Sequence, residues 1–158
     1  MNLLELFPKK HFIMDLKARD QKGAFKEMIE HLVAAEAISD ETGKKLERAV
    51  NKRESEGSTG IGKGLAIPHA KACKAIDKLV AVFARSSEGV NFNAVDGEPV
   101  NLVFLVCSPL EQADQHLIIM RKIAAMHKDE KTLKFLRTTD KVENIFAILE
   151  EIDEDFVA

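Results

Sequence analysis

The sequence predicts a mixed α/β domain, of the α/β or α+β class, in which one sheet is covered by helices on both faces. Three observations predict it: helical apolar periodicity before residue 56, two short continuous apolar runs in the middle, and a return to helical periodicity from Asp114. At 158 residues and 46% hydrophobic, folding buries roughly two-thirds of the unfolded surface, so a core needs no disulfide or metal staple. No repeat, low-complexity run or Ser/Pro-rich linker divides residues 1–158, which read as one domain.

The elements follow in chain order. His11 to Leu16 is a weak strand candidate. Residues 20–36 place Ala24, Phe25, Met28, Ile29, Leu32 and Val33 on one stripe behind an Asp20 cap, the pattern of an amphipathic helix. A second helix starts at Ser39, with Asp40 and Glu41 favourably placed against its dipole. It carries Leu46, Ala49 and Val50 toward Arg53 and stops before Gly57. Ala66–Ile67 is a second weak strand. Leu79 to Ala84 and Leu102 to Cys107 are continuous apolar runs that read as buried central strands, with a turn over Val95 to Pro99 between them.

From Asp114 a helix places Leu117, Met120, Ala124 and His127 on one stripe, with Ile119, Ile123 and Met126 beside it. A short helix over Thr132 to Leu136 follows. The last helix opens on Asp140-Lys141-Val142-Glu143, which has capping-box spacing, and presents Val142, Ile145, Phe146, Leu149 and Ile152. The acidic run Glu150, Glu151, Asp153, Glu154 and Asp155 reads as a solvated helix end.

Charge excludes some functions. With 26 acidic against 23 basic side chains the formal net charge is -3, which lacks the basic footprint of a nucleic-acid or membrane-surface binder. The longest uncharged run, Pro99 to Leu110, is twelve residues, short of the about 20 that a spanning helix needs. Glu5 interrupts the N-terminal apolar stretch and Lys9 and Lys10 follow it, the reverse of a secretory signal. Cys73 and Cys107 form no CxxC pair and read as free thiols in a reducing cytoplasm.

The uneven feature is glycine. Four of the eight glycines, Gly57, Gly60, Gly62 and Gly64, fall within eight consecutive residues. Gly57 to Lys63 nearly matches a P-loop, but Gly64 stands where a Ser or Thr would hold magnesium, a charged helix precedes it, and Pro68 follows where the P-loop helix would run. A dinucleotide fingerprint fails as well, at Ile67. What remains is a loop of small residues able to cradle an anion, at Gly57, Ser58, Thr59 and Gly60, with the two hydroxyls as donors and Arg53 as a planar fork. His69 follows directly. A neutral imidazole there is a nucleophile for phosphorus when its other ring nitrogen is held by an acceptor. His116, at a predicted helix start, is placed to assist. His11, His31 and His127 read as structural. A zinc site from His69, Cys73, Cys107 and His116 has poor spacing, and no metal or other cofactor is expected. Lys71, Lys74 and Lys78 form a loose basic cluster that suits either an acidic partner patch or solvent.

The run Arg53-Glu54 to Gly57-Ser58-Thr59-Gly60-Ile61-Gly62, followed by Ala66-Ile67-Pro68-His69, resembles the signature of enzyme IIA domains of the phosphoenolpyruvate-dependent phosphotransferase system, fructose/mannitol and nitrogen-regulatory type. The likeness extends over nearly the whole chain, including Phe92 to Pro99 and His116-Leu117. It implies a mixed, about five-stranded sheet flanked by helices, and a phosphoryl carrier in which His69 is phosphorylated by the histidine phosphocarrier protein while His116 and Arg53 assist. The acceptor it implies is a IIB domain or a regulatory target protein. Lys63 stands where such domains often carry Asn and adds positive charge to the loop. The lack of a fused IIB or IIC region favours the regulatory type. The alternative is a module that binds an anion or a protein without becoming phosphorylated.

Overall fold

Two of the long helices begin where the sequence supplies a side-chain cap. In the computed structural model, which describes residues 2–156, a four-residue helix α1 (Leu3–Leu6) and a short strand β1 (Phe12–Ile13) precede α2 (Gln21–Ala34) and α3 (Asp40–Ser55). Asp20 accepts from the Gly23 N–H at the start of α2, and Ser39 accepts from the Thr42 N–H at the start of α3, each satisfying a first-turn donor. Strands β2 (Gly60–Gly62), β3 (Leu65–Ala66), β4 (His69–Ala70), β5 (Val80–Val90) and β6 (Val100–Cys107) follow, then α4 (Ala113–Ala125), α5 (Glu130–Thr138) and α6 (Val142–Asp155).

The strands form one mixed sheet in the order β1-β5-β6-β3-β2, with β4 also paired to β6. β5 and β6 are antiparallel, with Val82 opposite Leu105, and β3 and β4 run parallel to β6. Alternation along β5 sends Val80, Val82 and Ala84 to the face covered by α2 and α3, where Phe25, Met28, Leu32, Leu46 and Val50 pack. It sends Ala81 and Phe83 to the opposite face with Phe7, Phe104, Ile119, Ile123, Leu136, Ile145 and Leu149. Both faces are therefore covered, as the element order predicts.

Several details differ from the sequence reading. The sheet has six strands rather than about five; three of them, β1, β3 and β4, are pieces of two residues, too short to show a period. The His11 to Leu16 candidate shrinks to Phe12–Ile13, because Lys9–His11 winds into a 3₁₀ turn. Helix α4 is rotated from its expected stripe: His116, Ile119 and Ile123 face inward, while Leu117 is 51% exposed. The Asp140 cap does not form. α6 starts one residue late for it, at Val142, and the Thr139 hydroxyl accepts from the Lys141 N–H and the Asn144 amide instead.

The acidic end is not wholly solvated. The side chain of Asp153 is 11% exposed and pairs with Lys122, itself 10% exposed, at 2.9 Å. The same carboxylate accepts from the backbone N–H groups of Leu3 and Leu4, first-turn donors of α1 that have no partner within their own helix. It thereby clamps α1, α4 and α6 together. Replacing it leaves Lys122 charged and buried, so Asp153→Ala is expected to lower the unfolding free energy by about 3 kcal/mol in denaturant titration. Faster hydrogen exchange at Leu6 and Phe7 accompanies that loss.

Candidate functional site

The chain from Leu65 to Ala70 runs along one edge of β6 but pairs in two pieces. Pro68 has no N–H to give the ladder, so β3 ends at Ala66 and β4 begins at His69, opposite Val106. At this break the Ile67 carbonyl lies 2.8 Å from His69 Nδ1. A carbonyl only accepts, so Nδ1 carries the proton and Nε2 carries the lone pair. The imidazole is half-buried and its pKa is lowered from 6.5, by burial first; the Ile67 bond opposes this, Arg53 and Lys71 add to it, and Glu54 opposes it. At neutral pH His69 is an uncharged base with Nε2 available.

The His116 ring centroid lies 5.5 Å from that of His69. His116 is buried, its Nδ1 is 2.7 Å from the Ser108 hydroxyl, and its Nε2 has no hydrogen-bond partner among the described residues. Burial, then the neighbouring His69 and Lys71, lower its pKa to about 4. Ser108 is held in turn by the sheet, since its N–H donates to the Ala70 carbonyl. The histidine pair is thus braced on one side by the Ile67 carbonyl and on the other by the Ser108 hydroxyl.

Glu54 organises the loop before β2, and the sequence reading did not single it out. The residue is 8% exposed, and its carboxylate accepts from the Thr59 N–H, the Thr59 hydroxyl and the Gln21 amide at 2.8, 2.7 and 2.9 Å. A signal was present: an acid in the last turn of α3 opposes the helix dipole and asks for another reason to be there. Ser108 carried no comparable signal, because its contact with His116 spans a strand end and a helix start.

The loop residues expected to cradle an anion are engaged within the protein. Ser58 donates its hydroxyl to the Phe92 carbonyl and accepts from the Gly60 N–H. Thr59 gives both donors to Glu54. Gly57 offers its carbonyl to Arg53 at 2.9 Å, and Gly60 is required by packing, since a Cβ there would lie 2.8 Å from that of Ala94. The loop is a scaffold that turns α3 into β2 and keeps Arg53 near His69. Lys63 serves elsewhere. With Gly64 it forms the β2–β3 turn, both at positive φ, the conformation in which Asn is favoured over Lys. Its ammonium donates to the His127 carbonyl and pairs with Glu130. Of the three lysines after His69, Lys71 is the one that acts on both ring systems.

His11 and His31 are placed as structural residues, bonded through their rings to the carbonyls of Ala81 and Lys10. Among the described residues no three His, Cys, Asp or Glu side chains converge on a point.

Two outcomes follow from these contacts. Glu54→Ala strands both Thr59 donors and leaves the Gln21 amide with the Phe92 carbonyl alone, and is expected to cost about 2 kcal/mol of unfolding free energy and to speed hydrogen exchange at the Thr59 amide. The lowered histidine pKa values mean that, as pH falls from 6.5 toward about 4, the unfolded chain binds protons that the folded chain does not. Stability is therefore full above pH 6.5 and declines through that window. Urea titrations between pH 7 and pH 4 test this, and His116→Gln flattens the dependence.

The chain is similar to known proteins in sequence and in fold. A family model described as "Phosphoenolpyruvate-dependent sugar phosphotransferase system, EIIA 2" matches residues 5–152. The chain is 31% identical over 154 residues to the PTS system fructose-specific EIIABC component of Bacillus subtilis, covering 98% of this chain but only 24% of that longer protein. It is 34% identical over 149 residues to a nitrogen regulatory protein of Bradyrhizobium diazoefficiens, covering 94% and 95% of the two chains. Among solved structures, nitrogen regulatory protein IIA-Ntr from Neisseria meningitidis superposes with a TM-score of 0.82 at 31% identity, covering 92% of this chain and 97% of that one. The fold also matches enzyme IIAMTL of Escherichia coli, solved in complex with phosphorylated enzyme IIBMTL, with a TM-score of 0.76 at 22% identity over 92% and 99% of the chains. On the match over residues 5–152, the chain belongs to the EIIA 2 family of the phosphoenolpyruvate-dependent sugar phosphotransferase system.

Proposed function

We propose that the protein is a cytoplasmic phosphoryl carrier, folded as one EIIA domain, and that His69 Nε2 is its phosphorylated atom. One observation carries the reading: His69 is anchored through Nδ1 to the Ile67 carbonyl, leaving Nε2 as the lone-pair nitrogen beside a second histidine whose own Nε2 is buried without a partner among the described residues. In the transfer, the Nε2 lone pair attacks phosphorus while the nitrogen–phosphorus bond of the donor phosphohistidine breaks and its electron pair returns to the donor ring. The positive charge that grows on the His69 ring is held by the Ile67 carbonyl. When the Ser108 hydroxyl donates to His116 Nδ1, His116 Nε2 carries a proton and donates it as a hydrogen bond to a phosphoryl oxygen. Arg53, near His69 at the end of α3, supplies the cationic charge. Positioning and charge stabilisation are most of what phosphoryl transfer needs.

The donor in this reading is the histidine phosphocarrier protein, and the acceptor is a IIB domain or a regulatory target. The nitrogen-regulatory use is favoured by relatives of that kind that match along nearly their full length. Incubation with phosphoenolpyruvate, enzyme I and the phosphocarrier protein is expected to put an acid-labile, base-stable phosphate on the chain. His69→Ala abolishes it. His116→Ala and Arg53→Ala slow it about a hundredfold, the scale for removing one donor that stabilises transition-state charge. A His69→Ala chain that still labels, or a wild-type chain that stays unmodified where a known relative labels, overturns the reading and favours the non-covalent module. Capture of IIB by the phosphorylated form then separates transport from regulation.

A further inference from the structure

The two cysteines, 34 positions apart in sequence, meet directly behind the histidine pair. Ala70, next to His69, is the ladder partner of Cys107. Three residues on, the Cys73 N–H donates to the Ser108 carbonyl at 2.9 Å. Both side chains belong to the core cluster on the α2–α3 face of the sheet, at the end of β6 that carries Cys107, and the Cys73 sulfur lies 3.8 Å from the Lys71 carbonyl oxygen. They are not exposed alike. Cys107 is wholly buried at the end of β6, whereas Cys73 is 8% exposed and sits in a turn whose neighbours Lys71, Ala72 and Lys74 are all exposed.

We propose that Cys73 and Cys107 form a reversible disulfide under oxidation by a peroxide, and that closing this bond shifts His116 relative to His69. The chemistry divides between the two sulfurs. The neighbouring Cys107 thiol lowers the pKa of Cys73 while burial opposes it, so Cys73 is the more readily ionised and the more exposed of the two sulfurs. Cys107 has its pKa pushed up, first by the same contact and then by burial, and stays a thiol. Cys73 is the attacking residue and Cys107 the resolving one. The Cys73 thiolate takes one oxygen of hydrogen peroxide, breaking the O–O bond; the departing hydroxide picks up a proton to become water, and Cys73 is left as a sulfenic acid. The Cys107 sulfur then attacks the Cys73 sulfur, and the displaced hydroxide leaves as water with the Cys107 proton. Overall, two thiols and one peroxide give one disulfide and two waters.

The coupling to the site runs through Ser108. Its carbonyl accepts from Cys73, its N–H donates to Ala70, and its hydroxyl bonds His116 Nδ1. Drawing the Cys73 turn onto the Cys107 sulfur strains the one residue that braces His116, while β4 carries the same displacement to His69. Ala72, between them in the turn, already sits at a φ of 53°, a conformation unfavourable for a residue with a Cβ, so the turn has little freedom to absorb the movement. The slowing of phosphoryl acceptance described below rests on the carrier reading; the disulfide and the histidine shift do not.

The test uses the reduced full chain treated with hydrogen peroxide, followed by alkylation under denaturing conditions and mass analysis. The expected product has lost two hydrogen atoms, takes up no alkylating agent, yields one cross-linked peptide pair containing Cys73 and Cys107, and reverts with dithiothreitol. Cys107→Ala instead stops at a Cys73 sulfenic acid that dimedone traps. In the oxidised wild type the imidazole NMR signals of His69 and His116 move while those of His31 do not, and phosphorylation slows by about tenfold or more, as misplacement within a reacting site does. Two alkylated thiols after peroxide, a cross-link between chains, or an intramolecular disulfide that leaves the His69 and His116 signals unmoved each overturn the proposal. A reduced chain that takes no phosphate overturns the carrier reading alone, since the mass and NMR results still decide this one.

Discussion

Strand β6 is the constraint on which the rest of the molecule depends. Seven of its eight residues are buried, and it is paired along both edges, antiparallel to β5 on one side and parallel to β3 and β4 on the other. A strand buried on both faces keeps its polar groups only by completing its ladders. The interruption at Pro68, on the edge opposite the β5 bulge between Arg85 and Val90, is therefore consequential. It places the Ile67 carbonyl within reach of the following histidine and sets the tautomer of His69 by backbone geometry alone. The far end of the same strand leads into Ser108, which holds His116. One strand thus positions both rings, and their separation is as firm as the ladder.

Electrostatics within the pocket follow from that placement. Two imidazoles brought together and partly buried are both kept neutral at physiological pH, since burial disfavours charge on either, Lys71 acts on both, and His69 further disfavours charge on His116. Cationic charge comes from Arg53 and Lys71 at the margin, and Glu54 is occupied by three hydrogen bonds beneath the loop. Such a site is mildly positive and poorly solvated, which suits an arriving dianion more than a proton. The chain as a whole has a net charge of -3, so the attraction is local to the pocket and leaves the remaining surface free for folded partners.

Buried charge is where the sequence was hardest to read. Asp153 stands among four other acids in a run of polar residues, and Glu54 follows Arg53 at a helix end, so composition assigns both to solvent. Each is buried because a set of backbone and side-chain donors elsewhere in the chain converges on it: Leu3, Leu4 and Lys122 on Asp153, and Gln21 and Thr59 on Glu54. Partners up to 150 residues away leave no trace in local pattern. The same holds for the thiol pair, which sequence spacing treats as two unrelated cysteines.

The sequence by itself determined the helix starts at Asp20 and Ser39, the two central strands, the covering of the sheet on both faces, and the crowding of glycines, hydroxyls and a histidine into the segment from Arg53 to His69. These are local matters: caps act within three residues, apolar periods within a turn or a strand, and the motif within seventeen consecutive positions. Only the tertiary structure decided that Ser58 and Thr59 spend their donors on the loop, that Lys63 turns toward His127, that Leu117 faces solvent while His116 faces His69, and that Cys73 lies against Cys107. Each of those outcomes depends on which atoms arrive from distant parts of the chain to satisfy a buried donor or acceptor, and that is settled by the closing of the ladders on β6.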